Sequence, residues 1–133
     1  MKLNDLFSRL RRAFSRWRGV HTFSPTYTAG DSLFDDYEAD KEKLLQELVK
    51  NDVYSIELIP GRNDFNILKD FVTWFHKNGF VITFGTEHNT PQLDPLKVTC
   101  RGLVDLGDEL KQINYEGTAI IAAHQYLIAN GKE

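Results

Sequence analysis

Two apolar runs with a helical segment between them decide the fold: VYSIELI at residues 53–59 and FVITF at residues 80–84. Both runs are rich in β-branched and aromatic residues, which is typical of strands. Between them, residues 65–78 carry apolar side chains at helical spacing. A strand-helix-strand unit of this size joins parallel strands through a right-handed crossover. The sequence therefore predicts an α/β chain with a parallel strand-helix-strand core.

A polar loop follows each predicted strand. The first loop is PGRND at residues 60–64, and the second is GTEHNTP at residues 85–91. Parallel strands end at the same edge of a sheet, and α/β proteins place their binding and catalytic residues at that edge. We therefore expect four polar side chains to face one crevice there: Arg62, Asp64, Glu87 and His88.

Glu87 and His88 are the sharpest pair of candidate metal ligands. A carboxylate oxygen and a neutral imidazole both bind borderline divalent ions such as zinc or manganese. Adjacent strand residues point to opposite faces, so both side chains reach one ion only if the backbone turns, and Gly85 permits a turn. A catalytic zinc usually takes three protein ligands. The third must come from outside the chain or from one of four residues: His21, Glu57, Asp64 and His124.

The remaining candidate site residues lie on the first strand and its loop. Strand alternation places Glu57 on one face with Ser55, and Ile56 with Leu58 on the other. A carboxylate on an otherwise buried strand is costly unless it is paired or metal-bound, which makes Glu57 a candidate ligand. Arg62 suits bidentate contact with a phosphate or a carboxylate. Asp64 either accepts a proton, binds metal or caps the helix that follows.

The charge distribution separates residues 1–20 from the rest of the chain. These residues carry a charge of +5, from six Lys/Arg and Asp5, which leaves −8 for the remainder of a chain of net charge −3. Their apolar side chains recur at helical spacing, which predicts a basic amphipathic helix. Such a helix binds an anionic membrane or a protein partner, or packs on its own domain. We predict two units, residues 1–20 and 21–133, and the net charge gives no case for nucleic acid.

The cysteine count and the hydropathy of the chain indicate its cellular compartment. The single cysteine, Cys100, excludes an intramolecular disulfide and a Cys-rich zinc knuckle, which favours a reducing compartment. No apolar run approaches the roughly 20 residues of a membrane span, and the N-terminus lacks the apolar core of a signal peptide. The sequence thus predicts a cytoplasmic protein. Cys100 is either a buried thiol or a nucleophile whose pKa the neighbouring Arg101 lowers.

Helices are predicted on both sides of the core unit. An acidic stretch leads into a helix that stops at Asn51 and Asp52, and the middle helix ends at Asn78. The middle helix is expected to bury six side chains: Ile67, Leu68, Phe71, Val72, Trp74 and Phe75. Two helices are expected at the end of the chain, a short one capped by Asp105 and a second from about Gly117 to Ala129. His76 is expected at the surface or at the end of its helix, and His124 is expected to be partly buried.

From about residue 54 to residue 133 the chain resembles the later part of the polymerase and histidinol phosphatase (PHP) family. The stretches that carry the resemblance are IELIPGRND at residues 56–64 and GFVITFGTEHN at residues 79–89. The resemblance implies part of a distorted β/α barrel and metal-dependent hydrolysis of a phosphorylated small molecule, with zinc, manganese or iron. It implies Glu87 and His88 as metal ligands and Arg62 as a phosphate contact.

The length and the charge distribution of the chain leave two hypotheses about its function open. A whole β/α barrel has about 200 residues or more, so the resemblance implies a C-terminal portion, a divergent member or a truncated member of the family. A further possibility is that another chain completes the barrel. The alternative is a non-catalytic α/β module that uses residues 1–20 to bind a partner or an anionic membrane surface.

Overall fold

A computed structural model describes residues 21–23, 40–86, 91 and 96–131. Three strands and three helices alternate along the described residues. In chain order they are β1 (His21–Phe23), α1 (Lys41–Lys50), β2 (Ser55–Leu58), α2 (Phe65–Lys77), β3 (Val81–Phe84) and α3 (Gly107–Ala129). The predicted helix in residues 1–20 and the unit boundary after residue 20 lie outside the described residues.

The three strands form one parallel sheet in the order β1-β2-β3. The β2–β3 register pairs Ser55 with Val81 and Leu58 with Phe84, so both strands end at the same edge. This confirms the predicted parallel strand-helix-strand core and the shared edge of its two following loops. The described residues form a three-stranded sheet and no closed barrel.

One face of the sheet carries most of the hydrophobic core. Ile56, Leu58 and Ile82 are almost fully buried there, as the predicted alternation of β2 requires. Helices α1 and α2 cover this face, and the edge-to-face pair of Phe75 and Phe80, 5.1 Å between centroids, closes the turn into β3. Burying an aliphatic or aromatic side chain of this size contributes roughly 1.5–3 kcal/mol. The helical residues of the core cluster come from all three helices: Leu44, Leu48, Leu68, Phe71, Val72, Phe75, Leu110 and Ile113.

Helix α2 ends as its sequence predicts but buries a narrower stripe. Asn78 closes the helix and Gly79 follows with a φ of 86°, a conformation that favours glycine. Ile67 is 47% exposed and Trp74 is half-buried, so the prediction that both belong to the buried stripe is wrong. The four buried residues follow the i, i+3, i+4, i+7 spacing, and Ile67 lies beside that stripe.

Helices α1 and α3 test the predicted boundaries. Asp40 caps α1 by accepting hydrogen bonds from the backbone N–H groups of Glu42 and Lys43. The C-terminal prediction of two helices is wrong, because Gly107–Ala129 is one helix with Gly117 buried in its middle. The N-cap residue of α3 is Leu106, which makes no side-chain capping hydrogen bond, and Asp105, one residue earlier, accepts a hydrogen bond from the Gly107 N–H.

Candidate functional site

The candidate site begins at the edge where β2 and β3 end. Glu57 is half-buried on β2, opposite Thr83 on β3. Its carboxylate lies over Gly85, because a Cβ built on that glycine would stand only 2.5 Å from Glu57 Oε1. The missing side chain of Gly85 therefore leaves the space that the Glu57 carboxylate fills.

The Glu57 carboxylate has an unusual environment for an acid on a sheet. Among the described residues, none donates a hydrogen bond to it or forms an ion pair with it. A half-buried carboxylate is normally stabilised by such a partner. The ligand role of Glu57 stays a prediction.

The other predicted ligands follow β3 directly. Glu87 and His88 come after Gly85 and Thr86 in the chain, and both lie outside the described residues. The described residues hold no group of three or more His, Cys, Asp or Glu side chains arranged to bind a metal ion. The ligand roles of Glu87 and His88 thus stay predictions.

A second cluster of polar residues consists of Arg62, Asp64 and Arg101, and Arg101 contacts the other two residues. The loop after β2 begins with a 3-10 turn, Pro60–Arg62, and the turn Arg101–Leu103 packs against it. The Arg101 guanidinium donates to the Arg62 carbonyl at 2.6 Å and lies 3.4 Å from an Asp64 carboxylate oxygen. The 2.6 Å bond contributes more than the ion pair with Asp64, which is exposed and therefore weak.

The second cluster also contains a buried asparagine. Asn63 is fully buried, and its side-chain amide donates to the Ile59 carbonyl at 2.7 Å. Its backbone carbonyl accepts the Arg101 N–H at 3.0 Å. These bonds hold the loop of residues 59–64 in one conformation at the end of β2.

Two of these placements differ from the sequence reasoning. Asp64 occupies the N-cap position of α2, but its carboxylate makes no capping hydrogen bond and lies near Arg101 instead. Of the four side chains expected at one crevice, Asp64 lies near Arg101, which also binds the backbone carbonyl of Arg62, while Glu87 and His88 lie outside the described residues. The contacts of Arg101 have no signal in the sequence, since its partners lie 37 and 39 residues away.

Cys100 is a buried thiol. It is 1% exposed, and burial raises the pKa of its thiol, with the carboxylates of Asp105 and Asp64 raising that pKa further. The interpretation that Arg101 lowers this pKa is therefore wrong, because the side chain of Arg101 turns towards residues 62–64. A raised pKa and a buried sulfur both disfavour a nucleophilic role.

We expect Cys100 to resist alkylation in the native protein. At pH 8, iodoacetamide should modify it on the order of 100-fold more slowly than in the chain unfolded in guanidinium, because thiolate formation and access are both suppressed. Mass spectrometry of quenched time points gives both rates. Since Cys100 is the single cysteine, the unfolded chain is its own control. Equal rates would return Cys100 to the list of candidate nucleophiles.

The remaining histidines lie away from the carboxyl edge or are buried. His76 lies in the last turn of α2, as the helix-end interpretation predicts, and its Nε2 lies 3.1 Å from a Glu116 carboxylate oxygen on α3. It is half-buried and not fully at the surface, because α3 packs beside α2. His124 is buried on α3, as its apolar surroundings predict.

Helix α3 lies along the outer edge of β3. The N–H groups of Val81 and Gly85 point towards β2, where they donate to the carbonyls of Tyr54 and Leu58. The N–H of Phe84 points the other way and donates to the Asn114 side-chain oxygen on α3 at 2.7 Å. One turn further along α3, Gly117 lies directly on the Ile82 carbonyl. Covering an edge strand with a helix removes its capacity to pair with another strand.

Comparisons with protein-family models, with curated protein sequences and with solved structures found no match. Within the part of the chain that the structure describes, none of the helices combines the length and apolar character needed to cross a membrane.

Proposed function

We propose that this chain is a PHP-like metal-dependent hydrolase of phosphorylated small molecules, or a part of one that another chain completes. In this proposal Glu57, Glu87 and His88 bind a divalent zinc, manganese or iron ion at the carboxyl edge of the sheet. The observation that carries it is the half-buried Glu57 carboxylate over Gly85, two residues before Glu87. Two carboxylates and an imidazole form a donor set that suits these ions. Placement of the protein in the cytoplasm belongs to the same proposal.

The chain's own residues take distinct roles in the proposed reaction. A bound divalent ion supplies an activated water and neutralises charge on the phosphate oxygens. Arg62 contacts a phosphate oxygen, and the buried Asn63 and the clamp of Arg101 keep its loop in place. Asp64, held beside the Arg101 guanidinium, is the candidate proton acceptor.

Metal content is the direct test of this proposal. Elemental mass spectrometry should find near-stoichiometric zinc, manganese or iron in the purified protein. The content should fall at least about 10-fold in Glu57→Gln and in the Glu87→Gln/His88→Ala double variant, because each loses a ligand. Glu42→Gln is the matched control, since it changes an exposed acid on α1.

One result would decide against the enzyme, and another would decide against the assigned ligands. Wild-type protein that holds no metal, even after incubation with all three ions, would exclude a metalloenzyme made by this chain alone. The alternative, a non-catalytic α/β module that uses residues 1–20 to bind a partner, would then be the better proposal. Metal retained equally in all variants would place the ion at other residues.

A further inference from the structure

The outer face of α3 has an unusual composition for the exposed side of a helix. No Asp, Glu, Lys or Arg occurs from residue 117 to residue 131, the longest uncharged stretch in a chain of which 26% of the residues are charged. Most of this stretch is the second half of α3. A helix that packs on a core normally carries charged and polar residues on its exposed side, and a helix that is apolar on all sides is normally covered on all sides. The second half of α3 thus has an outer face that favours a covering partner.

Five exposed residues form a continuous stripe along this face, the outer stripe: Tyr115, Ala119, Ala122, Tyr126 and Ala129. Their spacing alternates between four and three residues, so they share one side of the helix over roughly 21 Å of its length. Tyr115 is 70% exposed and Tyr126 is 65% exposed. The outer stripe lies opposite the buried side of α3, which consists of Leu110, Ile113, Gly117, Ile120 and His124.

The outer stripe is self-complementary. Its first four residues read Tyr, Ala, Ala, Tyr from either end, with the centre midway between Ala119 and Ala122. If two copies of α3 pack antiparallel about a two-fold axis at that centre, Tyr115 of one copy lies level with Tyr126 of the other. Ala119 lies level with Ala122 of the other copy in the same way. A two-fold interface has this property, because the same two residues meet at both of its ends.

Side-chain size and charge both suit this pairing. The alanines at the centre would let the two helix axes approach to about 8 Å, and the tyrosines on either side would form two ring pairs, which add to the attraction. The outer stripe carries no charge, so like-charge repulsion would not oppose the contact between identical copies. The rest of each domain would lie on the far side of its own helix, because the buried side of α3 faces away from the outer stripe.

We propose that the outer stripe is the interface of a homodimer, in which two copies of this chain pack their α3 helices antiparallel. The two exposed tyrosines and three alanines of each copy bury a total of roughly 800–1,000 Å², which is the lower end of the range for specific interfaces. The dimer is therefore weak, with a Kd of about 10–100 μM, and exchanges with the monomer. This inference does not depend on the proposed function.

Sedimentation equilibrium of the full chain, from about 1 μM to about 500 μM, measures this association. Ala122→Glu places a charge beside the centre of the outer stripe at an exposed position. Asn66→Glu is the matched control, since it adds the same charge at an exposed position of α2. Two further variants, Tyr115→Lys and Tyr126→Glu, test the antiparallel alignment, because their new side chains face each other only in a mixed dimer.

The dimer predicts a specific pattern among these proteins. The wild type and Asn66→Glu should rise from the monomer mass of 15.3 kDa towards twice that mass as concentration increases. Association should weaken at least about 10-fold in Ala122→Glu, because a buried unpaired charge is costly. The melting temperature of this variant at about 2 μM, where the wild type is also monomeric, should lie within about 2 °C of the wild type.

The mixed variants should show the alignment directly. Tyr115→Lys and Tyr126→Glu should each associate more weakly than the wild type when alone. Mixed in equal amounts they should associate at least about 5-fold more tightly than either alone, because opposite charges then face each other. A mixture that associates no better than its separate components would overturn the antiparallel alignment.

The remaining outcomes decide whether a second copy covers the outer stripe. Wild-type protein that stays monomeric up to about 500 μM would overturn the inference. If that monomer also sedimented with phosphatidylcholine vesicles and Ala122→Glu did not, the occupant would be a lipid surface instead of a second copy. Equal association in the wild type and Ala122→Glu would place the interface on another face and would likewise overturn the inference.

Discussion

Gly117→Ala should destabilise the protein by roughly 2–3 kcal/mol, the scale at which overpacking in a close-packed interior is felt. A Cβ at this position would stand 1.8 Å from the Ile82 carbonyl oxygen and 2.7 Å from its carbon. Both atoms belong to the backbone of a strand in the middle of the core, so neither can turn aside. Helix α3 would have to move away from β3.

The opposing effect in this substitution is helix propensity. Alanine is favoured over glycine by about 1 kcal/mol inside a helix, which would make the variant more stable if Gly117 were exposed. The clash of the added Cβ with the Ile82 carbonyl should outweigh this gain in helix propensity, because it pushes α3 away from β3 along their whole interface. Urea denaturation with a fixed m-value measures the change, and the melting temperature should fall by about 10 °C.

Gly61→Ala is the matched control for this prediction. Gly61 is exposed, its φ lies outside the left-handed region, and an added Cβ would meet only the Thr99 carbonyl at 3.8 Å. Its stability should stay within about 0.5 kcal/mol of the wild type. A Gly117→Ala protein as stable as Gly61→Ala would show that α3 does not approach the edge of β3 so closely.

Gly85→Ala should weaken metal binding with little loss of stability. Its added Cβ would stand 2.5 Å from Glu57 Oε1, but this atom is the end of a flexible side chain and can move away. The backbone of Gly85 lies outside the left-handed region, so alanine adopts it, and a less flexible unfolded chain adds about 0.4–1 kcal/mol of stability. The displaced carboxylate should lower Mn²⁺ affinity about 10-fold or more, if Glu57 is a ligand as proposed.

Stability and metal affinity measured together separate two explanations of Gly85. Loss of affinity at unchanged stability would agree with a glycine that makes room for a metal ligand. Loss of stability at unchanged Mn²⁺ affinity would instead show that Gly85 is needed only for the conformation at the end of β3. It would also show that Glu57, in the position it occupies here, is not a metal ligand. Gly61→Ala again provides the control, because it changes neither contact.

The core of the fold follows from patterns that are local in sequence. The alternation of β2, which buries Ile56 and Leu58, and the helical spacing of α2 specify a strand, a helix and a strand with short connections. Such a unit has one favourable way to pack, with parallel strands. The stop at Asn78 and Gly79 was predictable for the same reason, since a helix end depends on only a few neighbouring residues.

The candidate site was only partly predictable. Glu57 was singled out because an acid on a buried strand is unusual, and its position over Gly85 agrees with that argument. The clamp by Arg101 and the bond from Phe84 to Asn114 join residues that are 30 to 39 positions apart. No spacing rule indicates such pairs, because they depend on how α3 and the second 3-10 turn pack against the sheet.

Gly117 is the clearest example of a residue whose role the sequence alone does not predict. As a glycine between two apolar segments it is typical of a helix end, and the sequence predicted a new helix there. In the structure it lies inside one continuous helix, because the chain needs a residue without a side chain where that helix meets the Ile82 carbonyl. The sequence by itself determined β2, α2, β3 and the edge that the two strands share, since these depend on neighbouring residues. Only the tertiary structure decided which distant residues hold that edge, because contacts between separate elements exist only after the elements have packed.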